Sequence, residues 1–406
     1  MPIPKRFIQD KFRNASPARL ARHGLIDIDR KYVPGKRPRR YRLRDWVLDG
    51  FIEASIAAQD TSPRLVSILT GKPLRASQKA PEAAESSSGD PTPPDLIQRA
   101  MGMFTACTVD RPAIVERLNR LRAVYQDNPT PKNRFRYLND WFIWDTLNKL
   151  AEPTDTPGIV RFTPRYTMQA TGRIGTPLQN ASRAMKQAAY AAIPNVHNYD
   201  LASSQMALCL HEMTRHGIDC PWIRTYLDEP GTRAALAEQV GVSDATWKEC
   251  LYSVLMTAHL PTNTVWKGSP VVEALAEEIT DSAALKETLA RLREVLKPLV
   301  PPLKKWHKQV ESEGRAAGCI VNRLGISRPV ESFDKTSAMV AHILQGSEAY
   351  FIHTLTVLAE RYGYTPLGNE HDGLLTIGPI PDAAIQQAQR LTGLDCLELR
   401  EKPFCE

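Results

Sequence analysis

Apolar residues recur at helical spacing from Trp46 through Val66 and again from Leu96 to about Leu150, as in IVERLNRLRAVYQ and YLNDWFIWDTLNKL. That period lines one face of a helix. Between the two stretches, Leu74 to Asp95 is rich in Ser, Pro, Ala and charge, buries little apolar surface, and predicts a flexible linker or a long exposed loop. EPTDTPG ends the second helical stretch. Beyond it the pattern changes. VHNYDLASSQMALCLHEMTRHG runs from a strand end into a helix, and residues 218–314 predict mostly helix, punctuated by Pro261, Pro270 and Pro298. GCIVNRLGISRPV has hairpin features. SAMVAHILQGSEAYFIHTLTVLAERYG predicts a long apolar helix, broken or kinked at Gly346. In GNEHDGLLTIG the Asp372-Gly373 step is a turn signal, since Gly accepts positive φ and Asp tolerates it, and Leu374–Ile377 reads as a buried strand. No repeat of fixed period is present. Strands separated by long helical insertions predict a mixed α/β (α+β) core rather than a bundle or a sandwich.

The 406 residues suffice for two or three structural units. No run of about 18 apolar residues predicts a membrane span, and MPIPKRFIQDKFRN has charges without the apolar stretch of a secretory signal. Seven scattered cysteines with no C-x-x-C pair point to reduced thiols in a cytoplasm-like compartment. The net charge of +7 is unevenly placed: residues 1–45 hold fourteen Lys or Arg against four Asp. KYVPGKRPRRYRLRDW concentrates it, with Tyr32, Tyr41 and Trp46 interleaved. Such a segment suits a phosphate backbone and stacked bases; the alternative is a solvated basic arm or a contact for an acidic protein.

Two carboxylates stand where strands end. Asp200, in NYDLASSQ, follows a short strand and precedes a helix, so it is either open to a ligand at a sheet edge or a helix N-cap, a role that Ser203 or Ser204 could also fill. Asp372 sits at the hairpin tip beside His371, either in an ordinary tight turn or held to grip a metal. Together they could bind Mg²⁺ through oxygen, since such sites use one or two carboxylates plus substrate phosphates, and paired metals are a common solution for nucleotidyl transfer.

These stretches, taken in order, resemble the polymerase region of A-family DNA polymerases and the related single-subunit phage-type RNA polymerases. TGRIGTPLQNASRAMKQAAY, Thr171 to Tyr190, is similar to the T-G-R…L-Q-N…R segment along the template–primer duplex. YDLASSQMAL is similar to the first metal-binding motif. PPLKKWHKQVESEGRAAGCIVNRLGISRP resembles the helix and hairpin after the fingers, down to Gly325 and Arg328. ILQGSEAYFIHTL resembles the Q-G-x-x-A-D helix, and EHDG resembles the third motif. The resemblance covers about Phe162 to Ile380 and includes no 3′-exonuclease carboxylate set.

The departures fall at the nucleotide. The best candidate for the fingers helix is WKECLYSVLMTAHL: Lys248 takes the first basic position, Tyr252 stands where Lys is expected, Met256 takes the aromatic-or-Met position and Leu260 replaces Tyr. Lys248, Tyr252 and Met256 are predicted to share a helix face at i, i+4 spacing. Lys248 is then a triphosphate ligand or a plain surface lysine. Five residues after Asp200, where the DNA enzymes carry a Glu that excludes a ribose 2′-OH, stands Gln205, and no Glu follows His371-Asp372. Both point to acceptance of ribonucleotides, at least for the first one.

The resemblance implies a right-hand polymerase with a palm sheet, a helical fingers insertion and a helical N-terminal, thumb-like region. It divides the chain into a basic N-terminal region (1–73), a linker or loop (74–95), a thumb-like region (96–160), palm (161–217 and 315–406) and fingers (218–314). Asp200 and Asp372 are the implied metal ligands for two Mg²⁺, or Mn²⁺. Lys248, Gln205, Tyr252 and Met256 are the implied nucleotide contacts, and Arg173, Gln179, Arg183, Lys186, Arg328, Gln345 and His371 the implied duplex contacts. For the basic residues the alternative is a surface salt bridge, for the glutamines a helix cap or turn contact, and for His371 a structural histidine. The implied activity is template-directed nucleotidyl transfer without proofreading, in replication or primer synthesis of a phage or mobile element. Its partners are DNA template and primer, NTP or dNTP, and a helicase or single-strand binding protein. A single-subunit RNA polymerase and a non-catalytic nucleic-acid-binding relative are the alternatives.

Overall fold

A computed structural model describes residues 26–28, 41–44, 93–104, 107–162, 166–175, 178–264 and 269–403. The helix expected over Trp46–Val66, most of the basic segment and most of the Leu74–Asp95 linker lie outside the described residues. Two units separate, Met1–Lys79 and Ala80–Glu406. In the first, β1 (Ile26–Ile28) pairs antiparallel with β2 (Tyr41–Leu43).

The second unit begins with α1 (Pro93–Met103), β3 (Cys107–Asp110), α2 (Arg111–Asp127) and α3 (Pro131–Asn148). Side-chain caps start α2 and α3: Asp110 accepts from the Ala113 amide and Thr130 from that of Asn133, with Pro at the first turn of each. A small sheet follows, in which β5 (Ile159–Phe162) lies between β3 and β4 (Glu152–Pro153). The hairpin of β6 (Thr167–Met168) and β7 (Ile174–Gly175) leads through a 3₁₀ turn (Leu178–Asn180) to α4 (Arg183–Tyr190), capped by Ser182.

Next come β8 (Val196–Leu201) and α5 (Ser204–Arg215), then the helical stretch: α6 (Pro221–Asp228), α7 (Thr232–Val240), α8 (Asp244–Leu255), α9 (Pro270–Glu278), α10 (Ser282–Leu296) and α11 (Val300–Ala317). Pro270 opens α9 behind its Ser269 cap, while Pro298 lies between α10 and α11. The hairpin β9 (Cys319–Val321) and β10 (Ser327–Pro329) forms as expected. The chain then runs through α12 (Thr336–Tyr362), β11 (Thr365–Asn369), β12 (Gly373–Ile377), α13 (Asp382–Thr392) and β13 (Leu399–Glu401).

Residues far apart in sequence meet in one antiparallel sheet of order β11-β12-β8-β13. The buried core includes Trp247, Trp306, Leu251, Leu292, Phe351 and Leu374. Helix α12 packs against α1, α5, α11 and α13, which is why it is apolar nearly all round. It runs unbroken through Gly346, contrary to the expected break. A Cβ there would lie 2.4 Å from Nδ2 of Asn322, so the glycine serves a close approach by the β9–β10 hairpin. Among the described residues no helix is long and apolar enough to cross a membrane, and the cysteines are free thiols.

The tip hairpin also differs in detail. The left-handed residue is His371, at φ 69°, and not Gly373. Asn369 Oδ1 stabilises the turn by accepting from the His371 amide at 3.0 Å. Gly373 instead sits in β12 opposite Asp200, where a Cβ would come 2.2 Å from the Tyr199 carbonyl oxygen of β8. Gly373→Ala should therefore push β12 off β8 and cost about 2 kcal/mol or more of stability, the scale of an overpacked core. At Gly368 the nearest atom to an added methyl is Leu375 Cδ1, a side-chain end that can give way, at 3.3 Å, with Tyr190 Oη at 3.7 Å, so Gly368→Ala serves as the control in urea unfolding. Equal midpoints for the two variants would contradict this account.

Candidate functional site

Strand pairing brings the two aspartates together. Asp200 lies next to last in β8 and faces Gly373, while the carbonyl of Asp372, one residue earlier, accepts from the Leu201 amide at 2.8 Å. Asp200 is not a helix cap: the cap of α5 is Ser203, in the left-handed region at φ 47° and without a side-chain cap bond. Burial, then the charges of Asp200 and Glu348, push the Asp372 carboxyl up to about 6.

Two further carboxylates complete the cluster, neither singled out in the sequence. Glu370 is at the same hairpin tip, paired with Lys186 of α4. Burial pushes its carboxyl up to about 7 against the pull of Lys186, with Asp372 and Asp200 adding to the rise. Glu348 of α12 is 1 % exposed. It accepts from Ser204 Oγ at 2.6 Å and Gln205 Nε2 at 2.8 Å, and pairs with Arg173. Its signal was a lone acid within the apolar run QGSEAYFIHTL; for Glu370 it was the acid beside His371-Asp372.

Arg173 follows the turn between β6 and β7, which is held from both sides. The Thr171 carbonyl accepts from Asn322 Nδ2 at 3.0 Å and that of Gly172 from His353 Nε2 at 2.9 Å. His371 is half-buried, and burial with the Arg173 and Lys186 charges pulls its imidazole down to about 4, so it is neutral. Its Nδ1 is buried without a hydrogen-bond partner, as is Oε1 of Gln205. Tyr252 of α8 stands within the field of Glu348 and Asp372, and burial raises its phenol pKa.

Lys248 is exposed, with Nζ 5.5 Å from the centre of the Tyr252 ring, so these two do share a face. Met256, the C-cap of α8, follows one turn on: its amide donates to the Tyr252 carbonyl at 2.9 Å, and its side chain packs against the core. Gln179 is buried in the 3₁₀ turn, and Arg183 is exposed at the start of α4. Gln345 is half-buried on α12, one turn before Glu348. Arg328 lies apart from the carboxylates, its guanidinium 4.2 Å from the Phe333 ring centre. The structure thus gathers Asp200, Asp372, His371, Gln205, Arg173, Lys186 and Tyr252, and leaves Arg328 in the β9–β10 hairpin.

Lys402, just past β13, pairs with Asp200. Three acids of the cluster therefore each have a cation: Lys402 on Asp200, Lys186 on Glu370 and Arg173 on Glu348. Among the described residues no ion pair reaches Asp372. No group of three or more His, Cys, Asp or Glu among them could hold a metal ion alone, so a divalent ion on Asp200 and Asp372 would complete its shell with water or with substrate oxygens. The donors fit such an ion: two mutually repelling carboxylates, one of them already holding an ammonium as a stand-in cation.

No protein-family model matches the chain, and no curated protein matches it. Among solved structures it is similar to the POL domain of Pol1 from M. smegmatis, determined in complex with DNA primer-template and dNTP. The TM-score is 0.52 at 12 % identity, over 75 % of this chain and 69 % of that one. At that identity the likeness is one of fold: a mixed α/β polymerase-like architecture.

Proposed function

We propose that this protein is a template-directed nucleotidyltransferase that extends a nucleic-acid strand. The observation that carries the proposal is the juxtaposition of Asp200, near the end of β8, with Asp372, the residue just before the paired strand β12, in a polymerase-like fold. In this reading residues 161–217 and 315–406 are the palm, 218–314 the fingers and 96–160 a thumb-like region. The setting is replication or primer synthesis in a phage or mobile element, as the sequence resemblance implies.

Asp200 and Asp372 are the residues that would hold Mg²⁺. When bound, the metal would neutralise the triphosphate and acidify the attacking 3′-hydroxyl. The chain's own groups do the rest. Lys248, exposed beside Tyr252, offers its ammonium to the phosphates. The Tyr252 ring walls the nucleotide side of Asp372. Arg173, locked by Glu348, presents a fixed guanidinium edge to the primer end, and contacts of that type give register without sequence choice. His371, neutral, donates or accepts one hydrogen bond at the hairpin tip. Gln205, its Nε2 taken by Glu348, directs an uncharged acceptor, Oε1, toward the sugar. In the DNA enzymes that the sequence resembles, a Glu here excludes a ribose 2′-hydroxyl; the neutral amide accepts from that hydroxyl and demands nothing of a sugar without one, so Gln205 tolerates either.

The test is extension on a single-stranded DNA template with Mg²⁺, comparing NTPs with dNTPs, with and without primer. Primed product from either nucleotide is expected, and unprimed product would make the enzyme a primase or an RNA polymerase. Gln205→Glu should shift use toward dNTPs; an unchanged NTP/dNTP ratio would exclude Gln205 from sugar choice. DNA binding with no product under any condition would replace the enzyme reading with that of a binding module.

A further inference from the structure

We infer that Lys402 is a positioning residue that sets the metal affinity of the site: its ammonium occupies Asp200 until a divalent cation displaces it. The inference rests on the proposed assignment of Asp200 and Asp372 as metal ligands. It comes from the sheet register. Edge strand β13 pairs with β8 so that Arg400 lies opposite Asp200. Two residues on, the Lys402 amide donates to the Asn198 carbonyl at 2.7 Å. That bond fixes the backbone at the end of the strand and leaves the side chain to fold back onto Asp200 Oδ2. The Arg400 guanidinium lies instead on Glu398, at 2.6 and 2.7 Å.

Exposure separates this pair from its two neighbours. Arg173 and Glu348 are 13 % and 1 % exposed, and Lys186 and Glu370 are 16 % and 14 %. Those cations are built in, and removing either strands a buried carboxylate. Lys402 and Asp200 are 48 % and 28 % exposed. An ion pair so open to water holds weakly and is screened by salt, so the ammonium can swing out while the backbone stays anchored. Gln205 Oε1, buried and without a partner, is a second polar atom in the cluster left for a ligand. Four carboxylates against three cations leave the cluster short of positive charge, and a divalent ion supplies more than the lysine it displaces.

The experiment titrates the full chain, freed of metal by a chelator, with Mn²⁺ at pH 8, reading free Mn²⁺ by paramagnetic resonance. Lys402→Met should bind Mn²⁺ roughly three-fold more tightly than the unaltered protein, the scale of one exposed ion pair. The gap should narrow with salt, and Lys402→Arg should restore the weaker binding. In an Asp200→Asn background, Lys402→Met should change nothing. Equal Mn²⁺ affinity with and without Lys402, with binding still dependent on Asp200, would overturn the inference and leave the polymerase reading standing. Absence of Mn²⁺ binding in both proteins would overturn the two together.

Discussion

Asp372→Asn should abolish extension and, in the same protein, raise stability at neutral pH. The loss of activity should be on the order of a thousand-fold, the scale carried by one preorganised charge-stabilising group. The stability gain follows from the raised carboxyl. Burial and the neighbouring Asp200 and Glu348 charges move it from an ordinary 3.8 to about 6. Above pH 4 the unfolded chain has given up this proton while the folded chain keeps it until about pH 6. Folding therefore loses stability as pH rises through that window, and the full cost remains above it. Asn carries no such cost. Unfolding without metal should show Asp372→Asn more stable by ~2 kcal/mol at pH 8, with no advantage below pH 4. A divalent ion should stabilise the unaltered protein and not the variant. A variant less stable than its parent at pH 8 would mean that Asp372 is a structural turn residue.

Part of this was legible in the sequence, for identifiable reasons. The hairpin, the buried strand Leu374–Ile377, the helix-rich middle and the long apolar helix all leave periodic or turn signals, and all form. So did the two aspartates, because a carboxylate at a strand end is a local feature. What failed was the physical role of single residues. Gly373 read as a turn glycine, but its requirement is the approach of the Tyr199 carbonyl from another strand. Gly346 read as a helix breaker, but it clears space for Asn322. Glu348 and Glu370 leave only a faint local mark, an acid inside an apolar run and an acid beside His371-Asp372, while Lys402 enters the site through register that no local pattern records. Lys402 above all sits beside Asp200 only because β13 pairs with β8.

Glu348→Ala should be among the most destabilising single changes in the chain, by roughly 3 kcal/mol, because it strands a guanidinium and two polar groups where water cannot reach them. The carboxylate joins three segments: the turn that carries Arg173, the first turn of α5 through Ser204 and Gln205, and α12. Arg173→Met should cost a similar amount by leaving the carboxylate unpaired. If the two form one buried pair, the losses will not add. Arg173→Met combined with Glu348→Leu should recover most of the stability, since apolar replacement of a whole buried pair is often neutral. Urea midpoints for the two single variants and the double variant give the coupling directly. Additive losses would mean that Ser204 and Gln205, rather than Arg173, hold the carboxylate. The double variant also separates fold from function. Stable, it presents no guanidinium to a primer end, so it should extend poorly with Asp200 and Asp372 untouched. Full extension by a stable double variant would confine Arg173 to a structural role.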